Sequence, residues 1–197
     1  MRKVIVSNWI TLDGVYQSPS EPGEDPENGF VHGGWATPYF DDIAMQWIVE
    51  SVSGAGGFLL GRRTYEIFAA HWPVAPEEER ALAEPMNRLP KYVASATLSE
   101  PLTWQPSTLL QGDIAQAVRR LKQEDGRDLR VIGSAQLIQT LMQHELVDEF
   151  QVMIDPVIAG GGKRMFRDDG VLRKLRLVDS RTTTTGAIIA TYVPAGG

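Results

Sequence analysis

Twice in this chain a short apolar run stops at glycine, and a helical pattern begins with no spacer between them. FLLGRRTYE, Phe58 to Glu66, is one instance, and VIGSAQLI, Val131 to Ile138, is the other. A strand that runs straight into a helix sends the chain back across the sheet, so the next strand lies parallel to the first. The remaining sequence keeps this rhythm. Strands are predicted over residues 3–10, 58–60, 92–94, 109–110, 129–132 and 147–154. Helices are predicted from Pro38 to Ser51, from Arg62 to Ala70, over 114–123 with Asp113 as cap, and over 135–143. Strands over 175–180 and 187–193, joined by a turn at 182–186, close the chain. The predicted class is α/β, a mostly parallel sheet with an antiparallel C-terminal edge, in a single domain spanning 1–197.

The 197 residues carry a formal charge of -6 and no cysteine. Disulfides, thiolate zinc sites and cysteine nucleophiles are therefore excluded. The acidic balance argues against general nucleic-acid binding. The apolar run of MRKVIVSNWI is too short for a secretory signal, and no segment has the ~18 apolar residues of a membrane span. A cytoplasmic location is the expectation. Residues 17–38, dense in Pro, Gly, Glu and Asp, read as a functional lid or a mobile loop. The segment from Trp72 to Pro90 reads as a surface excursion with a short helix.

The two junctions also have a chemistry. In open α/β sheets a ligand lies beyond the carboxyl ends of the strands. A helix start there offers unpaired N–H groups and a partial positive charge, and a small residue lets a phosphate approach the backbone. Gly61 is followed by Arg62, Arg63 and Thr64. Cations are disfavoured at a helix start unless an anion compensates. A planar guanidinium suits phosphate oxygens, and the ribose phosphate of NADP needs such a group. Ser95, after the strand KYVA, is a further donor. A tight turn alone explains each glycine equally well. DPVIAGGGKRMF, residues 155–166, adds three consecutive glycines, expected where backbone lies against backbone or a ring, or in a flexible surface loop. It is neither a GxGxxG fingerprint nor a Walker loop.

TLDG (11–14), LLGRRTYE (59–66), VIGSAQLI and LVDEFQVMIDPVIAGGG (146–162) together resemble the dihydrofolate reductase-like superfamily. The similarity is to free-standing relatives of the reductase domain of riboflavin-biosynthesis deaminase-reductases, and it covers nearly the whole chain. The resemblance implies a three-layer fold with helices on both faces of the sheet. It also implies NADPH as cofactor and hydride transfer to a small heterocycle, as in 5-amino-6-(5-phosphoribosylamino)uracil reductase or dihydrofolate reductase. By position it implies Gly61, Arg62, Arg63 and Thr64 at the cofactor turn, with Arg62 near the ribose phosphate. Ser95 falls on the adenosine side, and Gly133, Ser134, Ala135, Gln136 and Leu137 on the diphosphate turn. Gly160, Gly161 and Gly162 fall near the nicotinamide. Homodimers are common in this group. The zinc deaminase pattern of the bifunctional enzymes is absent, because it needs cysteines.

Hydride transfer needs positioning, a dry pocket and a proton source rather than a nucleophile. Asp13 is the leading polar residue near the reacting end, against its reading as an Asp-Gly turn residue. Asp41 and Asp42 read as helix-start carboxylates first and substrate contacts second. Trp35 and His32 are loop anchors or pocket caps. A rival to the reductase is a non-catalytic NADP(H)-binding sensor or scaffold. A weaker one is a protein that holds a flavin in the same cleft.

Overall fold

The computed structural model describes residues 1–196. Its strands are β1 (Val4–Thr11), β2 (Gly57–Gly61), β3 (Lys91–Ala94), β4 (Ser107–Leu110), β5 (Leu129–Val131), β6 (Glu149–Asp155), β7 (Leu175–Thr182) and β8 (Ile188–Pro194). The helices are α1 (Asp42–Ser53), α2 (Arg62–His71), α3 (Arg80–Arg88), α4 (Ile114–Gln123) and α5 (Ala135–Gln143). The strands follow the order β4-β3-β2-β5-β1-β6-β8-β7. The sheet is mostly parallel with an antiparallel C-terminal edge, as the alternation of patterns predicts. α4 and α5 begin and end where the sequence places them. α1 starts later than expected: Pro38 initiates a separate 3-10 turn over Thr37–Tyr39, and Phe40 is extended before the helix begins. Among the described residues no helix is long and apolar enough to cross a membrane.

Contacts divide the chain into two units, Met1–Val6 with Ile48–Asp148, and Ser7–Trp47 with the chain from Glu149 onward. In the first unit, β2 pairs in parallel with β3 and β5, with Leu60 opposite Val93 and Leu59 opposite Val131. Phe58, Leu59, Leu60, Val93, Leu129 and Val131 are wholly buried. Strands covered on both faces read as near-continuous apolar runs, as FLL does; β5 is interrupted by the half-buried Arg130. On α4, Ala115, Val118 and Leu121 recur at helical spacing and are buried, and the Asp113 carboxylate accepts the Gln116 N–H at 2.9 Å.

Lys91, the first residue of β3, is completely buried. Its ammonium donates to the carbonyls of Met86 (3.1 Å), Asn87 (2.9 Å) and Gln105 (3.3 Å) and lies 4.2 Å from the centroid of the Trp104 ring. Burial pushes its pKa down to about 8. The three carbonyls and the ring face stabilise the charged form against that desolvation.

The second unit holds the antiparallel pairs, with Ile154 opposite Ile188 in β6–β8 and Thr182 opposite Ile188 in β7–β8. Every residue of β7 is exposed. The loop over 17–38 is organised around two buried side chains. Gln17 donates to the carbonyls of Asp25 and Glu27, and the Trp35 indole N–H donates to the Gln17 carbonyl at 2.8 Å. Three of the loop's carbonyls are thus paired by side chains of the loop itself.

Replacing Lys91 by Met removes the donor shared by three carbonyls while keeping most of the volume. Urea denaturation is expected to show a loss of about 3 kcal/mol or more, the cost of stranding buried polar groups.

Candidate functional site

In the first unit the two strand–glycine–helix turns meet. Gly133 has φ +60°, and a Cβ built on it lies 2.9 Å from Thr64 Oγ1 and 3.1 Å from Thr64 Cγ2. Ser134 is also left-handed, with φ 55° and ψ 40°. A non-glycine residue there is strained and needs fixing by its surroundings. The fixing is visible. Ser134 Oγ accepts the Gly61 N–H at 2.9 Å and donates to Thr64 Oγ1 at 3.0 Å, and the Ser134 N–H donates to Thr64 Oγ1 at 3.1 Å. The small residues at the second turn are small because the first turn lies against them. Gly61 differs: its φ is -77°, and an added Cβ finds only ordinary contacts with Ser134.

With Ser134 donating to Thr64, the Thr64 hydroxyl hydrogen is left for another acceptor. Gly61 and Ser134 are the N-cap residues of α2 and α5, and neither side chain caps its helix. The first turns of α2 and α5 thus receive no capping oxygen from their N-cap residues, the group that usually satisfies an N–H there. Ala135 and Leu137 are buried, while Gln136 is exposed. Arg62 and Arg63 are exposed, and Arg62 pairs with Glu66 at 3.1 Å. Ser95 has local work: its hydroxyl accepts the N–H groups of Thr97 and Leu98, closing the turn after β3.

Asp13 and the glycine run come together in the second unit. The Asp13 carboxylate accepts the Thr11 hydroxyl at 2.6 Å and the N–H groups of Ala159 and Gly160, each at 3.0 Å. The Thr11 hydroxyl, followed by the two backbone donors, holds its pKa below the usual carboxylate value. It is an ionised clamp on the glycine loop, and a group in that state does not supply a proton near neutrality. Gly162 has φ +110°, and a Cβ there would lie 2.7 Å from the Phe30 ring. An aromatic ring against bare backbone is one of the reasons the run invites. Gly161 meets nothing within 4 Å and lines a cavity of about 500 Å³ with Gly160, Gly162, Phe30, His32 and Lys163.

Asp41 caps α1 through the Ala44 N–H at 2.9 Å and accepts both the N–H and the hydroxyl of Thr184, which lowers its pKa to about 2. Two features of this unit escaped the sequence reading. Lys163 bridges Asp25 and Glu27, tying the 17–38 loop to the glycine loop. Asp155, the last residue of β6, has no exposed surface and no partner for either carboxylate oxygen.

The model of the RibD C-terminal domain matches residues 2–189. The chain belongs to that family. Its fold is accordingly dihydrofolate reductase-like. It is 28% identical over 197 residues to the uncharacterized protein YyaP of Bacillus subtilis, covering 97% of this chain and 94% of that one. It is 30% identical over 150 residues to the uncharacterized protein YwjB of the same organism, covering 70% and 79%. A crystal structure from Shewanella sp. PV-4, described as a riboflavin biosynthesis protein, superposes with a TM-score of 0.69 at 19% identity, covering 98% and 99%. The deaminase/5-amino-6-(5-phosphoribosylamino)uracil reductase of Thermotoga maritima superposes at 0.64 and 15% identity, over 98% of this chain and 57% of that one. At such identities the agreement concerns the fold.

Thr64→Val removes the oxygen that receives both the Ser134 N–H and its hydroxyl. Denaturation is expected to register a loss of about 1–3 kcal/mol, with Ser134→Ala adding less than its own separate effect because both act on one network.

Proposed function

We propose that this family member is an NADPH-dependent reductase that delivers hydride to a small heterocyclic compound. The observation that carries the reading is the pair of helix starts, α2 and α5, stitched side by side and left without side-chain caps. Two positively polarised ends in one unit suit a diphosphate. Thr64 retains a hydroxyl hydrogen for an acceptor, and Gly133 keeps the turn flat where a side chain would collide with Thr64. Arg62, paired to Glu66 across one helical turn, is the residue for the ribose phosphate, exchanging an exposed ion pair for a phosphate. Arg63 and Gln136, in the first turns of α2 and α5, are exposed as well. Bound NADPH supplies the hydride. The chain's own residues bind it, fix its diphosphate and keep the turns rigid. The family and the reductase named among the fold neighbours support a heterocycle of the riboflavin-biosynthesis type.

One observation favours a non-catalytic NADP(H)-binding protein instead. Asp13 and Asp41, the carboxylates that the sequence offers for the reacting end, are both consumed in structural hydrogen bonds. A homodimer is also part of the reading, because β7 is an edge strand exposed along its whole length, with Leu175, Leu177 and Val178 open to solvent.

Titration of NADPH against intrinsic fluorescence is expected to saturate, and Arg62→Ala to weaken NADPH about 10–100-fold while leaving NADH nearly unchanged. Equal weakening of both removes the ribose-phosphate role. Substrate-dependent loss of NADPH absorbance in a screen of oxidised heterocycles separates the reductase from the sensor. Light scattering on the purified chain is expected to give twice the monomer mass.

A further inference from the structure

We propose that Asp155 is a proton-operated latch at the root of the glycine loop, seated when its carboxyl is neutral and opened when the carboxyl ionises. Asp155 is fully buried, and neither oxygen has a hydrogen-bond partner. Buried polar atoms without partners are rare and costly, and a buried carboxylate without a cation is costlier still. Asp155 sits where two very differently fastened segments join. On one side β6 is held to β8 through five successive residue pairs ending at Ile154–Ile188. On the other side the chain enters Pro156–Lys163, a stretch with three glycines. Its half next to Asp155 is seated by few bonds, Leu12 N–H to the Val157 carbonyl (2.7 Å), Val157 N–H to the Asp155 carbonyl (2.7 Å), and Ala159 and Gly160 N–H to Asp13, while its far end is anchored at Lys163, whose carbonyl accepts the Tyr16 N–H and whose own N–H donates to Gln17 Oε1.

The charged and polar groups of the two adjoining segments, the glycine loop and the β7–β8 turn, are committed elsewhere. In the loop, Lys163 bridges Asp25 and Glu27, and Arg164 lies 3.7 Å from Asp13. In the turn between β7 and β8, Thr184 is bound to Asp41, and Thr183, buried beside Ala187, engages the Ala187 backbone. None of them compensates an ionised Asp155. The charge is relieved by moving the loop rather than the strand, because the strand has more to lose.

The sign follows from burial, which raises the Asp155 pKa to about 7 from 3.8. The seated state keeps its proton up to about pH 7, whereas the open state gives it up near pH 4. Opening therefore grows by about tenfold per pH unit between those limits and levels off above pH 7.

The test is hydrogen exchange, corrected for intrinsic rates, over residues 156–163 between pH 4.5 and 8.5. Wild-type protection is expected to fall more than tenfold from pH 4.5 to 7.5 and then hold, while β8 amides stay level. Asp155→Asn is expected to give a flat profile. A flat wild-type profile, or the same fall in Asp155→Asn, overturns the latch. Should the variant fail to fold, the carboxyl ¹³C shift of Asp155 in the wild-type protein decides. A midpoint near 7 that coincides with the levelling of protection supports the latch, and a midpoint near 4 overturns it. These readouts need no cofactor, so they stand or fall apart from the reductase reading.

Discussion

The contact between the Gly61–Thr64 turn and the Gly133–Ser134 turn governs this structure. Three hydrogen bonds link them, and all pass through two hydroxyl oxygens. They hold Ser134 in a backbone conformation that L-residues avoid, and so fix where α5 begins. The strain and the fixing are local to one contact, and both helix starts inherit their direction from it. A βα turn usually caps its helix with the same hydroxyl that ends the strand. Here the Ser134 hydroxyl reaches across to the neighbouring turn instead, and the helix starts remain uncapped. Rigid support and the missing N-cap bond of α5 thus come from one substitution of partners.

The second unit solves a different problem, the holding of long irregular segments. Asp13, Gln17 and Lys163 each reach backbone or charges far away in sequence, and together they give the 17–38 and 156–163 stretches partners that helices or strands would otherwise supply. Backbone polar groups in loops need this accounting as much as those in sheets. Asp155 stands outside it, fully buried yet unpaired, on the boundary between ladder and loop.

The legible parts of the fold are those whose cause is local. Asp113 three residues before Gln116, followed by apolar residues at helical spacing, carries its own cap and its own face, and α4 starts there. The runs FLL and LRVI are apolar enough to be central strands whatever surrounds them. β4 is longer than its sequence suggests, because Ser107 and Thr108 pair with Lys91 and Tyr92 and have no strand signature of their own. Lys91 illustrates the limit better. A lysine at a strand end reads as solvated, and nothing in its residue type announces that the carbonyls of Met86 and Asn87, just before it, and of Gln105, farther along, converge on its ammonium.

The site divides along the same line. Glycine at a strand–helix junction announces a close approach without saying what approaches. At Gly133 the neighbour is Thr64, 69 positions earlier in the chain, and at Gly162 it is the Phe30 ring. Ser95 and Asp13 were read by type, a hydroxyl and a carboxylate at strand ends. Each spends its oxygens on backbone N–H groups, Ser95 on its own turn and Asp13 on a loop 146 residues away. A polar side chain at the end of a strand is therefore ambiguous until its acceptors are counted. Where they are full, as at Asp13, the residue shapes the loop that it holds. At α2 and α5 the N-cap residue makes no such bond to its own helix. That difference in how the oxygens are engaged, rather than residue type, is what separates the paired turns from the Asp13 loop and underlies the proposal that an anion binds at the turns.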